Sequence, residues 1–275
     1  MSETKVNTEG LRMQYPFLEK IWAHYDEFNQ AVEHSDPHKY YYHAICEQVM
    51  KKVQNNEKWN NDICIKLIRN LRNFPSIRNT DKYNSERCNN LNSWLYYITK
   101  NYDVHQNSIM KIFDVYKDKM EIVGHGTPYC SKYLYKDIYK NSDEIIKLIN
   151  LKEYENDILS ILMNNNHNNH RLCLKFIFEC ANKYKKMNKI YCTNQTINSS
   201  EKSYICSELL KFMRLFTSYI STKEELIEKL PSLDAEESEK FPICSSDTGK
   251  KGVKLEKKQN YITVEFINLV LLEKL

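Results

Sequence analysis

Nine cysteines and eight histidines are the residues of this 275-residue chain best equipped to bind metal, form cross-links or act as nucleophiles. Zinc ribbons and thioredoxin-type redox sites hold cysteines two residues apart, and no Cys-x-x-Cys pair occurs here. Two looser metal groupings can be drawn. His43 and Cys46 lie one helical turn apart and would supply two corners of a tetrahedral site. His125 precedes Cys130 by five residues, and His167 and His170 stand in an Asn-rich tract. A polar His beside a buried Cys is ordinary helix geometry, and loop histidines are ordinarily solvated, so neither a metal nor a cofactor is expected. The other uses of the cysteines are long-range disulfides or buried thiols, and seven of the nine fall on apolar helical faces that suit both. Cys173 and Cys180 are seven residues apart on one expected helix, roughly 10.5 Å along its axis at 1.5 Å per residue. A disulfide needs Cα atoms within about 7 Å, so these two cannot bond to each other. If oxidised, each must reach another element, with Cys192 and Cys206 the nearest in sequence.

Catalytic patterns are missing: the chain has no GxGxxG, no P-loop, no HExxH and no GxSxG. With 5 Gly and 6 Pro it also lacks material for phosphate-cradling loops and tight hairpins. No catalytic residue is assigned, and neither enzyme activity nor a small-molecule substrate is expected. The 40 Lys plus Arg against 36 Asp plus Glu give a formal charge of +4, too even a balance to suggest nucleic acid as a partner. Lys250, Lys251, Lys254, Lys257 and Lys258 make the tail locally basic, which reads as a solvated spacer. Two glycosylation sequons begin at Asn194 and Asn198, as chance allows in an Asn-rich chain.

The elements that carry these residues are helices. Leu18, Ile21, Trp22, Tyr25, Phe28 and Val32 recur at three- and four-residue steps and predict a helix over 15–33, with Pro16 in its first turn. A second helix carries Tyr42, Ile45, Cys46 and Val49, and a third runs from Trp59 through Cys64 and Leu71 to the stop at Phe74-Pro75. Short connections predict antiparallel packing. A fourth helix begins near Ser85 and a fifth carries Ile109 to Met120 along one face. One or two more lie within 133–162, and two follow at 171–187 and 201–220. The sequence therefore predicts an all-α, multi-helix domain over 15–221, after a flexible terminus at 1–14. From 222 to 275 the composition turns polar and aperiodic, and a disordered low-complexity tail is expected. Its apolar end, 261–275, is interrupted by Glu265, Asn268 and Glu273 and is too short for a membrane helix. Residues 1–14 lack the apolar run of a signal peptide.

Residues 88–98 read Cys-Asn-Asn-Leu-Asn-Ser-Trp-Leu-Tyr-Tyr-Ile. This resembles the Cys-x-x-Leu-x-x-Trp-Leu signature of the Plasmodium interspersed repeat (PIR) superfamily, particularly its Vir variant antigens. The likeness extends to Cys46 in an early helix, Cys64 ahead of Arg69-Asn70-Leu71, and Cys130. It continues with Cys180 and Cys192 around a Lys-Tyr-Lys-Lys run, and with Cys206 opening a Leu/Phe-rich helix. It spans residues 15 to about 220. In the motif, Cys88, Leu91 and Leu95 share one helical stripe with Trp94 beside them, a core anchor.

The resemblance implies a helical, disulfide-braced ectodomain of a variable antigen, exported by a blood-stage malaria parasite to or near the infected-cell surface. Its expected work is immune evasion and adhesion, with antibodies and a host cell-surface or serum protein as partners. The disulfide candidates are then Cys46, Cys64, Cys88, Cys130, Cys173, Cys180, Cys192 and Cys206, leaving Cys244 as the odd one. Family members usually end in a membrane helix after a hydrophilic spacer, and this sequence stops short of one, which leaves membrane association open. The competing expectation is a helical scaffold inside the cell, with its cysteines reduced.

Overall fold

The computed structural model describes residues 9–53, 60–72, 81–102, 106–122, 130, 144–192, 200–234 and 240–242. Among them are helices and turns and no strand: the protein is all-α and braced by disulfides. The chain divides into two units, Met1–Ser238 and Glu239–Leu275, and the helices described below belong to the first.

The first helical stretch breaks earlier than its periodicity predicts. Pro16 has no N–H to donate, so it sits in a turn and not inside a helix. In that turn the Tyr15 N–H closes on Leu11 O and the Leu18 N–H on Tyr15 O. Helix α1 (Glu9–Gln14) precedes the turn and α2 (Glu19–Asn29) follows it. The terminus expected to be flexible through residue 14 is thus ordered from Glu9. Arg12 holds it down with an ion pair to Asp26 and a bond to the Trp22 carbonyl.

Helices α3 (Lys39–Met50), α4 (Asn61–Arg72), α5 (Asp81–Tyr102) and α6 (Gln106–Ile122) come next. Helix α3 packs on α4 and α6, and α4 also touches α2, α5 and α6. Arg69 of α4 closes the carboxyl end of α2, donating to the carbonyls of Phe28 at 2.9 Å and Glu27 at 3.0 Å. Carbonyls of a last turn lack the i+4 partner of the helix interior, and a cation there also meets the negative end of the helix dipole.

Residues 144–153 form α7, followed by α8 (Glu155–Met163), α9 (His170–Tyr191) and α10 (Ser200–Leu215), whose end loosens into a π turn, Phe216–Ile220. Helix α9 packs on α8 and α10. The helical body continues past residue 221. Helix α11 (Glu224–Ile227) lies on α8 with Leu226 only 1% exposed, and Leu230 and Leu233 pack against the same core. The tail from 243 onward lies outside the described residues.

Helix α5 is buried on its whole circumference from Arg87 to Tyr96. The predicted stripe of Cys88, Leu91 and Leu95 is there, with Trp94 fully enclosed beside it. The opposite side is buried as well, although it carries Asn89, Asn90 and Ser93. Each finds a partner: Asn89 donates to Glu153 Oε1 at 3.0 Å, Asn90 to the Tyr154 hydroxyl at 2.7 Å, and Ser93 to Asn89 O at 2.8 Å. Burying these three polar side chains is tolerable because each replaces a bond to water with one inside the protein.

Candidate functional site

Six of the eight disulfide candidates pair. Cys46 of α3 meets Cys64 of α4 with Cα atoms 5.9 Å apart, and Cys88 of α5 meets Cys130 at 5.4 Å. Cys192, which ends α9, meets Cys206 of α10 at 5.6 Å. Cys173 and Cys180 do not pair and are buried free thiols, a correction to their place among the candidates. Both point into the core from α9, where they approach backbone carbonyls instead of another sulfur. Cys173 Sγ lies 3.7 Å from Ile158 O and Cys180 Sγ 3.8 Å from Lys147 O. Burial pushes the Cys173 thiol up to about 12 and the Cys180 thiol well above its ordinary value, so both stay protonated and unreactive. Cys244 lies outside the described residues.

The drawn metal groupings dissolve. Cys46 is committed to Cys64, which removes it from His43. His125 lies outside the described residues. His167 and His170 serve their own turn, where the His167 ring accepts from the Asn169 N–H and the His170 ring meets Leu162 O at 3.1 Å. Among the described residues, no three His, Cys, Asp or Glu side chains converge to hold a metal, and no helix is long and apolar enough to cross a membrane.

A cleft of about 280 Å3 opens between the start of α2, helix α8 and the turn that holds His167. Phe17, Leu18, Ile158 and Ile161 give it an apolar lining, and Tyr154 joins them. Lys20 and Asp157, paired at 2.6 Å, and Asn169 supply charge and amide groups. Periodicity finds the apolar members. The cleft itself joins a proline turn to a helix well over a hundred residues away, and no local pattern announces that.

Behind Tyr154 a chain of polar groups runs through the core. The Tyr154 hydroxyl accepts from Asn90 and donates to Glu86 Oε1 at 2.9 Å. Burial raises the Tyr154 pKa well above that of a free phenol, so it remains a neutral donor. His24 stands 3.9 Å from Glu86 and 3.7 Å from Glu27, stacked on Phe28. Arg87 grips Glu27 through two 2.9 Å bonds and lies over the Phe28 ring. The hydrogen bonds from Arg87 hold the Glu27 carboxyl below the usual carboxylate range, against the opposing effect of burial. Sequence reasoning missed Arg87 and Glu27. The available signal was an arginine next to Cys88 in the motif helix, since a buried guanidinium demands a carboxylate partner.

A second knot ties the proline turn to α7 and α9. Lys147 Nζ donates to the Tyr15 hydroxyl and to Glu179 Oε2, each at 2.8 Å, and Tyr15 also donates to Glu179. Tyr154, Arg87, Tyr15 and Lys147 each find a carboxylate partner in these networks. Chemically, the cleft offers an apolar lining and a charged rim, which suits recognition of a side chain or a similar small group. No known family, curated protein or solved structure matches the chain.

Proposed function

We propose that this chain is the ectodomain of a variant surface antigen of a blood-stage malaria parasite, acting by exposure and binding and not by catalysis. The observation that carries the reading is the set of three disulfides, closing loops of 18, 42 and 14 residues. Disulfides persist in oxidising surroundings and are rare where glutathione keeps thiols reduced, which favours display outside a cytosol. The PIR-like motif at 88–98 supports the same reading, because its Cys, Leu and Trp form the enclosed centre of the domain. A scaffold that must hold its shape while its surface varies needs such a centre. The cleft beside Tyr154 is the place where a host cell-surface or serum protein would insert a side chain.

Protease applied to intact infected cells tests this reading. An exposed antigen is removed, and its six bridged cysteines resist alkylation until reduced. A chain that survives surface protease and carries nine free thiols is instead an internal scaffold. Adhesion is tested separately by screening the oxidised domain against host receptors, with Lys20→Ala and Asp157→Ala variants as cleft controls. Loss of a captured receptor in both variants supports the cleft, whereas unchanged capture moves binding elsewhere on the surface.

A further inference from the structure

The three disulfides differ in their access to solvent. Cys46, Cys64, Cys88 and Cys130 are at most 1% exposed, whereas Cys192 and Cys206 are both half-buried at the rim of the core. Exchange requires a thiolate to reach a disulfide sulfur in line, so access governs the rate. We infer that Cys192–Cys206 is a thiol–disulfide exchange site for a small external thiol of the glutathione class, and that it opens while the other two bridges stay closed.

The step balances as two successive displacements. A glutathione thiolate attacks one sulfur of the bridge, forming a mixed disulfide, and the bonding pair leaves on the other cysteine, which solvent protonates. A second glutathione thiolate attacks the mixed disulfide, releasing oxidised glutathione and the second cysteine. The bridge gains two electrons and two protons, and two glutathiones lose them. Protein thiols do not compete within the described core, because Cys173 and Cys180 are buried and held protonated.

The domain tolerates this opening because α9 and α10 are held together by more than the bridge. The two helices pack along each other, Tyr184 of α9 meets Phe212 of α10 with ring centroids 5.4 Å apart, and Met187 of α9 and Leu209 of α10 are both buried. Cys192 sits at the very end of α9, so freeing it releases a helix terminus and leaves the packed faces in place. The enclosed bridges have no such route. They react only when the domain unfolds, a state populated at roughly one part in a thousand or less.

The test uses the oxidised full chain with Cys244→Ser, which removes the tail thiol. Native protein is exposed to reduced glutathione, quenched with acid, alkylated and mapped by mass spectrometry, with helical circular dichroism followed in parallel. Label is expected at Cys192 and Cys206 on the order of a thousandfold faster than at the four enclosed cysteines, with helicity unchanged. Label appearing at all six cysteines together, or first at Cys46–Cys64 or Cys88–Cys130, overturns the assignment. So does a Cys192–Cys206 bridge that opens only as helicity is lost. A Cys192→Ser, Cys206→Ser double variant is expected to remain helical and to take no label at the four cysteines still bridged under the same exposure.

Discussion

Arg87 sets the terms for the centre of the molecule. Its side chain is 5% exposed and its partner Glu27 is 47% exposed, so the pair is a buried cation held by a carboxylate at the surface. Removing the carboxylate takes two charge-assisted hydrogen bonds from the cation. Glu27→Gln is therefore expected to destabilise by about 1 to 3 kcal/mol at neutral pH, less than a fully buried pair because Glu27 is partly screened by solvent. The pH dependence has a definite sign. The folded pKa of Glu27 lies below the ordinary 4.5, so the pair stabilises fully above that value and the contribution fades as pH falls through the lower folded value. Thermal melts of the wild type between about pH 5 and pH 3 should fall more steeply than those of Glu27→Gln. Parallel curves would show that Arg87 is neutralised by some other group. Trp94 makes a different point: it is fully buried and its Nε1–H finds no acceptor among the described residues. Trp94→Ala should cost about 3 to 5 kcal/mol through the cavity it leaves. Trp94→Phe should cost distinctly less, since it keeps most of the ring and removes an unsatisfied donor. Equal losses in a denaturant titration would mean that the indole nitrogen does have a partner.

At the scale of elements, the helices were legible wherever one apolar stripe faced one core, as in α3, α4 and α9. Helix α5 was legible as a helix but not as a fully enclosed one. The groups that satisfy Asn89 and Asn90, Glu153 and Tyr154, come 64 residues later, so no local pattern announces that burial. Six of the eight candidate cysteines are bridged and two are free, and which ones pair was not legible because it depends on which helices become neighbours. Helix α11 escaped notice because a four-residue helix has no period to detect, although Leu226 is as buried as the motif leucines. Its burial moves the boundary at which the chain can be cut. A chain ending at residue 238 keeps Leu226, Leu230 and Leu233 on the core. One ending at 221 strips Leu226, Leu230 and Leu233 from the core and should lose roughly 2 to 4 kcal/mol, with a tendency to aggregate. Matching denaturation midpoints for the two truncations would make α11 dispensable and restore residue 221 as the end of the domain.

Across the whole molecule, the three bridges close loops of different length, and that difference orders their contributions. Cys88–Cys130 spans 42 residues, against 18 for Cys46–Cys64 and 14 for Cys192–Cys206. Restricting the unfolded chain by loop closure gives about 4 kcal/mol for the longest and about 3 for each of the shorter two. Local packing widens the gap. The Asn92 amide donates to Cys88 O at 2.9 Å and lies 3.3 Å from Cys88 Sγ and 3.4 Å from Cys130 Sγ, so losing those sulfurs loosens an enclosed polar contact. Cys192 and Cys206 are half-buried, and their loss opens little space. Paired Cys→Ala variants, each compared with the wild type in a denaturant titration under oxidising conditions, should therefore rank with Cys88–Cys130 most destabilised and Cys192–Cys206 least. Chelator should leave all of these midpoints unchanged, whereas a structural zinc would be worth on the order of 10 kcal/mol and its removal would be unmistakable. If the Cys192–Cys206 variant fell as far as the Cys88–Cys130 variant, the α9–α10 packing could not be holding the two helices together without their bridge. That same packing is what allows the half-buried bridge to open in a folded domain.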